Sequence, residues 1–284
     1  MWMISKRNCK LFFRDKSAVF FSLLAVFIVI GLYVLFLGDT ITSGMEGVPS
    51  ANFLIDSWIM AGLLAVTSYT TTLGAFGTMV DDRAKKVLKD FTVSPLRRSS
   101  LAGGYIVSSC FVGLVMTLVT FLLAEAYIAL RGGELLTLTA AARVLGLILL
   151  SVLSNSAMLF FIVSFFKSQN AFSALSTVIG TLIGFLTGVY IPIGNLPSAV
   201  QAVIKVFPPS HAGALFRQVM LERPLSLSFA GAPQNIVENF ENEMGVTYSF
   251  GGQSLSLEGS LLILIGSALL FYGLSILIMR RKER

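Results

Sequence analysis

Six stretches of this chain run for close to 20 residues with almost no charge, and no other feature narrows the choice of fold so far. The first is "SAVFFSLLAVFIVIGLYVLFL", residues 17–37. A helix rises 1.5 Å per residue, so ~20 apolar residues cover the ~30 Å hydrocarbon core of a bilayer. A soluble fold would have to bury all six runs in one core. The chain has 284 residues, 55% hydrophobic and 13% charged, which leaves too little polar surface to cover such a core. Soluble domains carry roughly 25% charged residues. The expected fold is an all-α membrane protein, a single transmembrane domain over residues 1–284. Its spans are expected at 17–37, 57–80, 104–130, 141–166, 171–191 and 260–279.

The net charge of +6 raises the possibility of a nucleic-acid partner. The positive residues gather beside the apolar runs, however, and that is the pattern of topology signals. Sixteen Lys and Arg fall in residues 1–16, in 81–100, at Lys167 and at the C-terminus. Five fall on the other side, at Arg131, Arg143, Lys205, Arg217 and Arg223. Both termini are therefore expected in the cytoplasm, which an even number of spans allows. No small-residue cleavage pattern follows the first run, so it reads as a retained anchor. Cys9 and Cys110 have neither disulfide-framework nor metal-ligand spacing and read as inert thiols.

Between the second and third runs lies "DDRAKKVLKDFTVSPLRRSS", residues 81–100, with six of the chain's 21 Lys and Arg. Val80, Ala84, Val87, Leu88 and Phe91 fall at i, i+4, i+7, i+8 and i+11, an apolar stripe on a short helix. Asp81–Lys85, Asp82–Lys86 and Lys86–Asp90 are opposite charges at i,i+4. Pro95 ends the helix, and Ser99 or Ser100 can cap the next. Two readings fit: a basic loop lying on anionic lipid, or a stiff docking helix tied to a span on either side.

The segment 192–259 is expected on the outer side. In "LPSAVQAVIKVF" the residues Leu196, Val200, Val203, Ile204 and Phe207 share one helix face. "PPS" breaks this helix and "HAGALFRQVML" resumes it. Each piece is too short to span, so residues 192–222 read as a re-entrant hairpin and 223–259 as a polar outer loop or cap. "TSYTTTLGAFGT", residues 67–78, is unusually polar for a span, and Gly180, Gly184 and Gly188 form two small-xxx-small steps. Such residues serve either packing within one subunit or a seam between two. Glu125 lies within the third run and is expected to pair with Arg143 or Arg131, or to snorkel. His211, the only histidine, reads as structural. Ser154–Ser156 of the fourth run either line a cavity or pack on a neighbour.

The order of these features resembles the membrane subunits of type-2 ABC exporters. The similarity rests on "MISKRNCKLFFRDKSAVFFSLLAVF", on "DDRAKKVLKDFTVSPLRRSSLAGGYIVSS" and on "GVYIPIGNLPSAVQAVIKVFPPSHAGALFRQVML". Asp82 stands where the family often has Glu, and the tail after Glu222 is long for the family. The resemblance implies an N-terminal interface helix, a cytoplasmic coupling helix at 81–100, and an ATPase-docking surface at Asp82, Arg83, Lys85, Lys86, Val87, Leu88, Phe91 and Pro95. It implies an export path and dimer seam on spans two and five, at Thr67, Thr70, Thr71, Gly74, Thr78, Gly180, Gly184 and Gly188. It further implies an outer gate at Pro192, Leu196, Pro197, Phe207 and Pro208. The implied partners are a second permease, identical or related, two ATPase subunits and membrane lipid, in the plasma membrane. The chain has no G-x-x-x-x-G-K-[ST] loop, so ATP and Mg are expected in the partner ATPase and no cofactor in this chain. An amphipathic drug or lipid-like substrate suits spans with so little charge. The alternatives are an ion-coupled carrier or channel, which favours inverted repeats or several buried charges, and an intramembrane enzyme, which needs more than the lone Glu125.

Overall fold

The computed structural model describes residues 1–37, 43, 45, 47–87, 98–250 and 253–281. Six of its helices are long and apolar enough to cross a membrane. The chain opens with α1 (Trp2–Arg14) and α2 (Lys16–Leu32), the latter running into a π-turn at Tyr33–Leu37. Four long helices follow: α3 (Ala51–Ala84), α4 (Arg98–Leu130), α5 (Leu138–Val163) and α6 (Gln169–Leu186). After a short 3-10 turn come α7 (Ser198–Val206), α8 (Pro208–Met220), α9 (Glu222–Ser228) and α10 (Gln234–Glu243). A two-residue hairpin, β1 (Ser249–Phe250) and β2 (Gln253–Ser254), leads to α11 (Leu257–Arg281).

Local chemistry sets the breaks. Asp15 separates α1 from α2, and its side chain accepts from Ala18 N at 3.0 Å, capping α2. Thr137 and Ser168 cap α5 and α6 in the same way. Pro208 sits at the start of α8, where its missing N–H costs nothing. The fifth span ends at Leu186, earlier than expected, because Gly188 takes φ +67°. Val189 N then donates to Gly184 O at 2.8 Å and Gly188 N to Phe185 O at 3.0 Å, a Schellman end.

The bundle is organised around α3, which is buried along most of its length and packs against α4, α5, α6 and α8. α6 packs chiefly on α3, and α11 on α5 and α8, so both keep a wide uncovered face. The amphipathic α1 lays Ile4, Asn8 and Phe12 against the bundle, mainly on α4. A side chain at Gly104 of α4 would meet Ile4 Cγ2 at 2.7 Å, so this glycine sets how closely α1 approaches.

Three expectations need correction. The second span does not end at Val80: α3 continues to Ala84, Lys85 is its C-cap, and Lys86 takes φ +60°. Asp82 and Arg83 therefore lie in the last turn of a long helix and not in a separate one. Val203 and Ile204, expected on one apolar face of α7, part company: Val203 is exposed, whereas Ile204 is fully buried beside Ile193, Ala214 and Tyr248. The segment expected as a polar outer loop or cap is tied to the bundle, since Met244 and Val246 are buried in the main core and Tyr248 beside Ile193 and Ile204.

Candidate functional site

One end of the bundle carries α1 and the residues near Lys85; it is called the basic end here. The other carries α7–α10 and is called the hairpin end. Between the two, on one flank of α3, lies a cleft of about 760 Å³ walled by α1, α2, α3 and α6.

The cleft's chemistry follows from its helices. Thr70, Thr71 and Thr78 of α3 point into it. Each donates its hydroxyl to a carbonyl of its own helix: Thr70 to Val66 at 2.9 Å, Thr71 to Thr67 at 2.6 Å, Thr78 to Ala75 at 2.9 Å. Donation to the backbone leaves the oxygens as acceptors without leaving orphan donors. Gly74 and Gly180 both line it beside open space; a Cβ on either would meet nothing within 4 Å. Phe12, Phe21, Val66 and Tyr190 supply apolar wall, and Asp15, Asp81 and Gln169 give polar groups at the basic end.

Five of the eight residues expected on a path thus come together: Thr70, Thr71, Gly74, Thr78 and Gly180. The other three do not. Thr67 is buried inside the bundle. Gly184 lies directly under the Tyr190 ring, and Gly188 forms the turn that ends α6. The regular glycine spacing combines an open cleft wall, a ring contact and a chain reversal.

At the basic end, Arg7 of α1 makes a two-pronged ion pair with Asp82, at 2.7 and 2.8 Å. Tyr105 of α4 donates to the same carboxylate at 2.6 Å. Asn8 donates to Ser108 Oγ at 3.4 Å. The hydrogen bond to Asp82 raises the Arg7 pKa above its ordinary value. Asp82 was expected to meet Lys86 at i,i+4, but it faces inward, where a fork-shaped guanidinium satisfies both oxygens. Arg83 also turns inward and donates to the carbonyls of Val163, Ser164 and Phe166 at 3.0–3.2 Å, capping the C-terminus of α5. Lys85 and Lys86 are exposed and Val87 half-exposed; Lys85 pairs with Asp81 at 2.7 Å. Leu88, Phe91 and Pro95 lie outside the described residues.

The hairpin end is tied by groups the sequence did not single out. Arg217 of α8 is fully buried and donates to the carbonyls of Thr187, Gly188 and Gly245. Its guanidinium carbon lies 4.9 Å from the Trp58 ring centroid. Trp58 donates to Met244 O at 2.7 Å, and Tyr33 to Val189 O at 2.9 Å. The signal was present: Arg217 sits among apolar residues in "HAGALFRQVM". Of the expected gate residues, Pro192 and Pro197 precede short helical turns and Pro208 opens α8. Leu196 packs on the small core beside Ile204, and Phe207 stacks edge-on to Tyr69 of α3 at 6.0 Å.

His211 Nε2 lies 2.8 Å from Lys205 O, which can only accept, so Nε2 carries the proton. Nδ1, 3.4 Å from Ser260 Oγ, is then the acceptor. Glu125 does not make the expected pairing: its Oε2 accepts from Leu136 N at 3.0 Å, Arg143 pairs with Glu222, and Arg131 with Asp56. Asp56, like Asp82, is a buried acid in α3, and it is held also by Tyr127 at 3.2 Å. Ser154 bonds Ser267 and Asn155 bonds Ser68, so "SNS" packs between helices.

A bundle of six membrane-length helices, with an amphipathic helix at one end and a helical hairpin at the other, defines a multi-pass helical membrane protein. The chain matches the family described as "ABC-2 family transporter protein" over residues 46–277, and it belongs to that family. No curated protein matches the chain. ABC-2 permeases are membrane subunits distinct from the ATPase, and they work with ATPase subunits.

Proposed function

We propose that this chain is the permease subunit of an ATP-driven exporter, resident in the plasma membrane with both termini in the cytoplasm. Two copies, or this chain and a related one, pair through the flank formed by α3 and α6. The ATP and Mg sites belong to two partner ATPase subunits, which dock at the basic end. The cleft beside α3 receives an amphipathic or lipid-like substrate and passes it outward.

The observation that carries this reading is the cleft's composition. Aromatic and aliphatic walls suit an apolar body, and the threonine oxygens and polar basic end suit a head group. The uncovered face of α6 supports the pairing. Its exposed residues include Ser173, Thr177, Gly180 and Thr181, small or hydroxyl-bearing groups of the kind that let membrane helices approach closely.

The test is transport of a fluorescent lipid analogue by the permease–ATPase complex in vesicles. Gly180→Trp and Gly74→Leu fill open space, so both are expected to fold normally and to cut transport at least tenfold. Transport that needs ATP and fails in these variants supports the reading. Transport driven by an ion gradient without ATP points to a carrier, and unchanged transport in both variants removes the cleft from the path.

A further inference from the structure

A second cavity, of about 370 Å³, lies at the hairpin end between α3, α4, α5 and the α8–α9 turn. It shares no lining residue with the cleft beside α3. Ser57 and Thr70 are 13 residues apart on α3, about 20 Å along the helix. The volume falls in the range of small-molecule sites.

Two lining groups have polar atoms with no hydrogen-bond partner among the described residues. Ser57 is 1% exposed, and its Oγ has no hydrogen-bond partner. Glu125 is fixed through Oε2 by Leu136 N, while its buried Oε1 accepts nothing. Buried polar atoms are nearly always paired, so two orphans on one cavity wall mark a place where a ligand or water completes the set.

The rim and charge narrow the choice. Arg143–Glu222 at 2.7 Å and Arg223–Glu134 at 2.8 Å tie the start of α9 to α5 and to the α4–α5 loop. All four side chains are at least 47% exposed, and solvent-exposed ion pairs contribute little, so they hold the mouth weakly. Three glutamates and two arginines line the cavity; with both arginines paired at the rim, the excess negative charge is that of Glu125. Phe53, Ile128 and Met220 make the remaining wall largely apolar.

The geometry points to a binding site for a small organic cation, an amine with an apolar body, whose ammonium N–H groups donate to Glu125 Oε1 and Ser57 Oγ. This site is separate from the proposed transport cleft and does not depend on the transport reading.

The test uses the full chain in phosphatidylcholine nanodiscs, titrated calorimetrically with phenethylamine and with its neutral analogue 2-phenylethanol. The amine is expected to bind saturably, one per chain, at least tenfold tighter than the alcohol. Glu125→Gln should abolish that preference. Ser57→Ala should weaken the amine several-fold without lowering the melting temperature, because it removes an unpaired buried hydroxyl. Leu135→Lys places a cation at the exposed mouth and should weaken the amine tenfold even if Glu125→Gln does not fold. Absence of saturable binding, equal binding of amine and alcohol, or a preference that survives the charge-altering variants would overturn the assignment. The first of these outcomes would mean that the cavity holds only water.

Discussion

Arg217 carries its charge into the fold on carbonyl dipoles and an aromatic face. Burial pushes its pKa down to about 10, still far enough above neutrality for it to stay protonated. Arg217→Met would leave the carbonyls of Thr187, Gly188 and Gly245 without these donors, at a cost of about 3 kcal/mol. The melting temperature of the purified protein should fall by ~6–12 °C. Arg217→Lys should recover only part of this, because a compact ammonium cannot span three acceptors in the plane of a guanidinium. His211 gives a pH-dependent counterpart. Burial lowers its pKa below the ordinary 6.5, against the opposing effect of its bond to Lys205 O. The unfolded chain therefore takes up this proton first as pH falls. The stability from neutral His211 is complete above pH 6.5 and is lost as pH drops toward the folded value. Thermal unfolding between pH 7.5 and 5.5 should show this slope in the native chain, and His211→Gln should flatten it.

At the scale of elements, the contact of α1 with the basic end turns on one carboxylate. Asp82 takes both prongs of Arg7 and the Tyr105 hydroxyl, so it joins three helices. Asp82→Asn can keep a polar contact with Tyr105 but removes the charge that Arg7 meets. Hydrogen exchange over residues 2–14 should rise roughly ten- to a hundredfold while exchange in the middle of α3 stays unchanged, reflecting the ~1.5–3 kcal/mol of hydrogen bonds to a charged group. Unchanged exchange over residues 2–14 would mean that Ile4, Asn8 and Phe12 hold α1 without the ion pair. The six long helices were legible in the sequence because their signal, length and apolarity, is local. Their ends were less so. α3 begins at Ala51 and includes Asp56, because Arg131 and Tyr127 supply the partners that make an acid tolerable there. The turn of α8 into α9, and the core around Met244 and Tyr248, depend on groups from distant helices that no window of sequence contains.

For the whole molecule, the proposed docking of an ATPase subunit at the basic end turns on which basic side chains project outward there. A charge run alone could not rank the basic residues of 81–87, but their environments do. Arg83 is occupied as the cap of α5, whereas Lys85 and Lys86 project outward from the end of α3, the helix that lines the cleft. Lys85→Glu with Lys86→Glu should leave the melting temperature within ~2 °C, since exposed pairs contribute little. In the permease–ATPase complex the same pair should lower substrate-stimulated ATPase activity severalfold. Arg83→Glu should lower the melting temperature as well, and a loss of coupling there would be secondary to the fold. Unchanged ATPase stimulation in the double variant would place docking on other residues.

The sequence by itself determined the class of protein and the number of long helices, and the family resemblance of its N-terminal segment implied the interface helix α1. Apolar length, charge placement and helical period are properties of neighbours along the chain. It also brought forward the threonines and glycines that line the cleft, because hydroxyls and missing side chains are conspicuous in an apolar helix. Only the tertiary structure decided which of them share a space, since that depends on how α6 and α2 sit against α3. It alone turned Asp82 and Arg83 inward, gave Arg217 its carbonyls and left Glu125 Oε1 without a partner among the described residues. A charged group in a low-dielectric interior takes its role from whichever dipoles come within ~3 Å, and for Asp82, Arg83 and Arg217 those come from residues 23 to 83 positions away.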